Sequence, residues 1–237
     1  MTYVLHYAPD NASMIVRLAL EDMGLPYRAV LVDRATRAQQ GPDFRALNPA
    51  GLIPALETPR GVMFETAAIL LWLADTHGDM APAADSAARP AFLSTLLFTS
   101  NTLHAQLRMM FYPWKYVGPD QDAQDSLRSK LLDTITPDMS LPMGLHLLDR
   151  YYANRDPAPN ARPWVLDYYI AAILRWCRIY PAGWTGWCDL AAYPALDQLT
   201  KMLETRPAVG RVAQAEGLGP RPFTDPYLPT PPEGSAL

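Results

Sequence analysis

Asn48-Pro49-Ala50-Gly51-Leu52-Ile53-Pro54-Ala55-Leu56, followed nine residues later by Glu65-Thr66-Ala67-Ala68-Ile69-Leu70, is the stretch that decides the fold. A turn rich in proline and glycine feeds a short apolar strand. A second strand follows, and a helix then opens on a carboxylate and a hydroxyl. Pro54 at the mouth of a strand offers no N–H to a ladder and restricts Ile53 to extended geometry. A cis Ile53–Pro54 bond would leave the Ile53 backbone exposed at a sheet edge. Glu65 and Thr66 fall where the unpaired N–H groups of a helix gather, a place suited to a ligand carboxylate. Together these features describe a site for a peptide-like ligand.

Upstream, Tyr3-Val4-Leu5-His6-Tyr7 is β-branched and aromatic and stops at Pro9-Asp10-Asn11, which predicts a strand. Ile15, Leu18, Ala19 and Met23 then recur at helical spacing, with Ser13 as a possible cap and Gly24 and Pro26 as a stop. Residues 27–32 form a second strand, and the short connections imply a right-handed parallel crossover. The polar segment 33–45 is expected to be loop with a short helix around Phe44 and Leu47, and 54–58 and 62–64 pair across Pro59-Arg60-Gly61. A helix from Thr66 to His77 ends at Gly78, so the order β-α-β-α-β-β-α is that of a thioredoxin-like domain over residues 1–78. Residues 79–89 read as a linker. From 90 to 216 the pattern is wholly helical: one long helix from Pro90 to Phe111, pieces over 120–134 and 140–153 separated by Pro137 and Pro142, a very apolar helix over 164–180, and two short helices. The fold class is therefore an α/β thioredoxin-like domain followed by an all-α bundle. Residues 217–237 are dense in proline and cannot form a helix; they either stay unstructured or pack as an extended arm.

A chain of 237 residues with a net charge of −4 and no basic cluster has no electrostatic reason to bind nucleic acid or acidic membranes. Cys177 and Cys188 have neither C-x-x-C nor metal-ligand spacing, so they are expected to be plain buried thiols in a reducing compartment, and no metal site is expected. Without an export signal or a membrane-length apolar run, a cytoplasmic protein is expected.

The pattern N-P-x-G-x-x-P-x-L followed by E-[ST]-x-A-I resembles the soluble glutathione S-transferase family, and the likeness runs from Tyr3 to about Gly217. That resemblance implies glutathione as co-substrate. Ile53 and Pro54 would present backbone to its cysteinyl unit, and Glu65 and Thr66 would hold its γ-glutamyl end. The reading of Glu65-Thr66 as a simple helix cap stands beside this. Family members often carry Lys, Arg or Gln at the position of Leu52 for the glycyl carboxylate; leucine cannot do this, so Gln39, Arg37 or another group must replace it, or glutathione binds weakly. Aligned with the bacterial beta type, whose segment is Y-x-P-x-x-C-S, Ala12 replaces the active-site cysteine. Similarly, Trp164 replaces the hydroxyl of the family's [ST]-x-x-D capping motif, leaving Asp167 as a structural residue.

The reaction needs a donor that stabilises the glutathione thiolate, because a free thiol titrates near 8.5. The resemblance places that donor between the first strand and the first turn of the next helix. Ser13 is the first candidate and Asn11 the second, and Tyr7 reads better as core. His104, Met110, Phe111 and Trp114 are candidates for a pocket accepting a small hydrophobic electrophile, although a Met and aromatic stripe is also ordinary core. Conjugation, peroxide reduction or dehalogenation would all follow from one activated thiolate, the chemistry of detoxification. Two alternatives are a non-catalytic binding or regulatory module of the same fold, and a glutathione-dependent isomerase. The isomerase is weakened because the first loop lacks a serine–cysteine cluster. Family members are usually homodimers, with Trp72 and Phe98 as candidate contacts.

Overall fold

Tyr3, Leu5 and Tyr7 are buried while Val4 and His6 are only partly so, the period-two pattern of a strand with different neighbours on its two faces. In this computed structural model, which describes residues 2–136, 139–155 and 162–236, that strand is β1 (Tyr3–Tyr7). Among the described residues it joins β2 (Tyr27–Leu31), β3 (Ala55–Thr58) and β4 (Gly61–Phe64) in one sheet of order β2-β1-β3-β4. β1 and β2 run parallel, with Leu5 opposite Ala29. β1 and β3 run antiparallel, with Leu5 opposite Leu56, and β4 closes the hairpin with Phe64 opposite Ala55.

α1 (Ala12–Met23) and α3 (Thr66–His77) cover the face carrying Leu5 and Leu56, and both end on glycines at positive φ, Gly24 and Gly78. α2 (Pro42–Leu47) covers the other face, where Phe44 packs with Val32 and Ala55 in a small second core. The thioredoxin-like half has the expected element order. Asn11, not Ser13, is the residue before the first helical position, because the helix starts two residues earlier than a cap at Ser13 would give.

The helical half differs more. The predicted long helix is α4 (Arg89–Phe98) and α5 (Ala105–Phe111), joined by a π-helical segment, Thr99–His104. Widened turns of this kind are common where a side chain must be re-aimed at a functional cleft. α6 (Trp114–Val117), α7 (Gln121–Leu131) and α8 (Leu141–Ala153) follow. Pro142 lies in the first turn of α8 and starts that helix instead of kinking it; Pro137 lies outside the described residues. Trp72 and Phe98 are half-buried within the chain, Trp72 edge-on to Tyr3 at 6.2 Å and Phe98 beside Gly144.

α9 (Val165–Ile179) is buried from Val165 to Cys177 and forms the core of the molecule. Asp167 accepts the Trp164 N–H at 2.8 Å, the Tyr152 hydroxyl and the Arg155 guanidinium, which lies 3.6 Å from the Trp164 ring centre. Half of a capping box thus survives without the hydroxyl. α10 (Pro194–Glu204) and α11 (Pro207–Glu216) complete the bundle. Beyond Gly217 the chain is an extended, packed arm: Phe223 is in the core, and Glu204 accepts the Phe223 and Thr224 N–H groups at 2.8 and 3.0 Å.

A buried cation sits in the middle of this apolar helix. Arg175 is fully buried and donates from Nε and Nη2 to the two carboxylate oxygens of Asp10, at 2.9 and 3.0 Å. Trp176 Nε1 and the Tyr180 hydroxyl donate to the same carboxylate, each at 2.9 Å. Asp10 has φ +48 in the β1–α1 loop, so the helical half holds that loop in a conformation few residues adopt. Removing one partner strands a buried charge. Asp10→Ala is therefore expected to lower unfolding free energy by about 3–5 kcal/mol in urea titration at pH 7, with Asp10→Asn losing less because it keeps two or three of the bonds.

Candidate active site at the end of the sheet

Sheet register determines what meets here. Ala55 lies opposite both His6 and Phe64, so the end of β1, the start of β3 and the end of β4 share one edge. Val32 N–H donates to Tyr7 O at 2.8 Å and brings the end of β2 alongside. The Tyr7–Asn11 loop, Ile53-Pro54 and Glu65-Thr66 are thereby gathered at one end of the sheet. α1 and α3 both start there, so two helix N-termini raise the local potential for an anion.

The Ile53–Pro54 bond is cis, and Ile53 precedes the paired part of β3. Asn48 holds the turn before it: its Nδ2 donates to Leu52 O at 2.6 Å and its Oδ1 accepts from Ala50 N at 3.1 Å. Gly51, at φ +64, lies so close to Gln39 O that a Cβ there would sit 2.9 Å away. Gln39 is thus against the turn, and its Oε1 is buried without a partner. Leu52 is half-buried and brings no cation; Arg37 is exposed.

Glu65 has φ +70 and ψ 113, outside the regions a long side chain favours. Its carboxylate is exposed and pairs with no cation among the described residues, whereas Thr66 behind it is buried. Backbone strain of this kind is held in place by the surrounding structure and clusters at functional sites.

Two of the catalytic candidates separate clearly. Ser13 is fully buried; its hydroxyl donates to Ala8 O at 3.0 Å and accepts from Ala8 N at 3.2 Å. With its single proton committed to the loop, Ser13 has none to offer a ligand thiolate, which corrects its ranking as first candidate. Asn11 is the opposite case. It sits at the N-cap of α1, makes no capping bond, and its Oδ1 is buried without a partner. Rotation of the amide puts the Nδ2 donors in the same spot. Tyr7 is buried, and its hydroxyl is engaged by Glu233 of the arm.

The pocket candidates divide too. Met110 is fully buried and its carbonyl accepts from Arg128, so it belongs to the core and is withdrawn from the pocket wall. Phe111 stands edge-on to Tyr180 at 5.9 Å, and Trp114 is half-exposed and edge-on to Tyr112 at 5.5 Å. His104 Nδ1 is 2.8 Å from the Tyr169 hydroxyl, and its ring lies 5.4 Å from Trp176, which in turn bonds Asp10. Burial, with Arg108 nearby, lowers its pKa to about 4, so it is neutral at pH 7.

Residues that sequence reasoning missed are Asp10, Arg34 and the tail. Arg175, in the midst of the most apolar helix, was the signal for a buried acidic partner such as Asp10, since a buried charge must be paired. Nothing local marked Arg34, which donates to the Tyr112 hydroxyl at 2.8 Å, or Glu233. Among the described residues no cluster of metal-ligating side chains occurs, and no helix is long and apolar enough to cross a membrane.

A thioredoxin-like sheet with a cis-proline turn, a strained carboxylate at a helix start and an appended helical bundle defines a class of thiol-binding enzyme. Residues 12–76 match the glutathione S-transferase N-terminal domain family. A sphingomonad glutathione S-transferase, solved as its complex with glutathione, is 32% identical with a TM-score of 0.68, over 91% of this chain and 100% of that one. Glutathione S-transferase GST-4.5 of Xanthomonas campestris is 29% identical over 219 residues, 90% of this chain and 98% of its own length. The disulfide-bond oxidoreductase YfcG of Escherichia coli is 27% identical over 91% of this chain and 96% of its own. The chain belongs to the glutathione S-transferase family.

Two groups withdrawn from water, His104 against α9 and Glu216 beside Arg17, titrate in opposite senses. His104 falls from 6.5 to about 4, so between those values only the unfolded chain takes the proton and stability rises with pH. Glu216 is raised from 4.5 to about 7 by burial, against the pull of Arg17; between those values only the folded chain holds the proton and stability falls with pH. Each slope is on the order of 1.4 kcal/mol per pH unit, and they oppose each other where they overlap. His104→Gln should therefore expose a stability that falls from about pH 4.5 to 7, and Glu216→Gln one that rises from about pH 4 to 6.5. Urea titrations across pH 4–8 read both slopes.

Proposed function

We propose that this chain binds glutathione across the end of the sheet and activates its thiol for attack on a small hydrophobic electrophile. The γ-glutamyl end goes to Glu65 and Thr66, where the unpaired carboxylate faces the ligand's ammonium and the α3 N-terminus faces its carboxylate. The cysteinyl unit lies along Ile53-Pro54. Gln39 supplies an amide for the glycyl end in place of the cation that Leu52 lacks. Asn11 is the thiolate donor: its amide, with the α1 N-terminus behind it, favours the charged sulfur and lowers the thiol pKa. The thiol proton passes to solvent as the thiolate forms; the sulfur then bonds to the electrophilic carbon, whose bond to the leaving group breaks, that group departing as its anion (chloride from a chloroarene). Phe111, Trp114 and His104 border the second substrate. The observation that carries this reading is the half-buried Asn11, whose Oδ1 is buried without a partner, at the same sheet end as the strained Glu65.

With Ala12 in the first turn and both cysteines buried elsewhere, any disulfide exchange of the kind named for the Escherichia coli relative would use thiols supplied by glutathione alone. A cytoplasmic homodimer built on α3 and α4 completes the proposal. Leu97 on α4 and Val62 and Phe64 on β4 are its exposed apolar residues, and light scattering tests the assembly.

Retention on immobilised glutathione and conjugation of 1-chloro-2,4-dinitrobenzene test the reading. Asn11→Ala should lower kcat/KM by about 10- to 100-fold, as loss of one preorganised donor does. Glu65→Ala should raise the glutathione KM about tenfold, and Ser13→Ala should act chiefly on stability, by about 1 kcal/mol. Neither retention nor turnover with any electrophile would leave only the non-catalytic module.

A further inference from the structure

The chain after α11 divides into a fixed part and a loose one. Residues 218–227 are tied down: Arg175 donates to Pro222 O and Tyr227 O at 3.1 and 2.9 Å, and Arg178 donates to Phe223 O and Thr224 O at 2.9 and 3.1 Å. Leu218 and Phe223 are in the core. Gly217, at φ +64, passes under Thr230, whose N–H donates to Gly217 O at 2.8 Å; any Cβ at 217 would strike the Thr230 backbone. From 229 to 236 no residue is buried, yet this segment lies across the cleft. Glu233 accepts from the Tyr7 hydroxyl, Gly234 lies against Leu31, and Ala236 O accepts from Arg34. A cavity of about 240 Å³ remains between this segment and Tyr180.

Those partners belong to the cleft already described. Tyr7 and Leu31 end the first two strands, and Tyr180 packs on Phe111. Arg34 donates to the Tyr112 hydroxyl at 2.8 Å, and Lys115 Nζ lies 4.4 Å from the Tyr112 ring centre. Arg108 precedes Tyr112 by one helical turn, its carbonyl accepting the Tyr112 N–H at 2.9 Å. None of these three cations pairs with a carboxylate among the described residues. Burial and the two arginines hold the Lys115 ammonium below its usual range, a concentration of positive charge beside an aromatic wall. The arm meets that field with acceptors: a carboxylate for the phenol and a carbonyl for the guanidinium.

We infer that residues 229–236 are an internal occupant of the second-substrate cleft, displaced by an apolar ligand carrying a carboxylate, whose acceptors replace those of Glu233 and Ala236. The inference rests on the cleft being the second-substrate site and deepens it: the electrophile is an anion with an apolar or aromatic body. Displacement is inexpensive because the arm buries no side chain, and its prolines leave little conformational freedom to lose or regain.

Naphthalene-2-carboxylate and naphthalene-2-carboxamide, matched in shape and differing in charge, test this without glutathione. Calorimetry should show the full chain binding the carboxylate about tenfold more tightly than the amide, and a chain ending at Leu228 binding both about tenfold more tightly than the full chain. Arg34→Ala should abolish the preference for the carboxylate, and Glu233→Gln, which keeps the arm's shape, should tighten binding about threefold. In the unmodified chain, saturating naphthalene-2-carboxylate should speed amide hydrogen exchange across 229–236 and leave 218–227 unchanged. Unchanged exchange in the arm, or equal affinities in full-length and shortened chains, would overturn the inference. Retention of both chains on immobilised glutathione reports separately on the proposed function.

Discussion

The buried pairing of Asp10 with Arg175 is the constraint on which the active site depends. Asp10 lies in the loop between β1 and α1, while Arg175, Trp176 and Tyr180 belong to α9 or its end, so the loop carrying Asn11 is shaped by the other half of the molecule. Both charges lose their water, and that penalty is offset only because the carboxylate accepts four bonds and the guanidinium also holds two arm carbonyls. Such an arrangement adds less to stability than to definition: it leaves the loop one place to be.

A second consequence concerns the seam. Asp10 N–H donates to Glu216 at 3.0 Å, Arg17 pairs with the same carboxylate at 3.3 Å, and Asp22 accepts from Tyr168 and Arg206 at 2.7 and 2.6 Å. α1 is therefore enclosed on one side by the sheet and on the other by α9 and α11, which explains why Met14, Ile15, Val16, Leu18, Ala19 and Leu20 are all buried. Each fully buried aliphatic side chain contributes about 1.5–3 kcal/mol, so α1 is among the firmest parts of the fold. Asn11, at the N-cap of this helix, is held by a rigid element, as the proposed role of its amide requires.

α9 organises the arm as well. Consecutive turns of one helix present Arg175 to both the β1–α1 loop and the arm, and Arg178 to the arm alone. The fixed part of the arm is thus an extension of the core, and only its last residues lie over the cleft without burial of their own. Firm anchoring next to a loosely held end is the arrangement a displaceable segment requires.

The sequence by itself determined the element order of the thioredoxin-like half, the helical character of the rest, and the family, because hydrophobic period, turn chemistry and the Asn48–Leu56 and Glu65–Leu70 motifs are local. Pattern alone also marked Ile53, Pro54, Glu65 and Thr66, which the sheet register then gathered at one edge. Tertiary structure alone decided which polar groups are spent and which are free. Ser13 and Asn11 are equally plausible donors as letters, yet one is closed by Ala8 and the other is left open. Met110 and Phe111 are adjacent in sequence, and only packing puts one in the core and the other at the cleft. The link from Tyr7 to Glu233 spans almost the whole chain, and no local pattern encodes a contact that exists only because two distant elements are packed against the same helix.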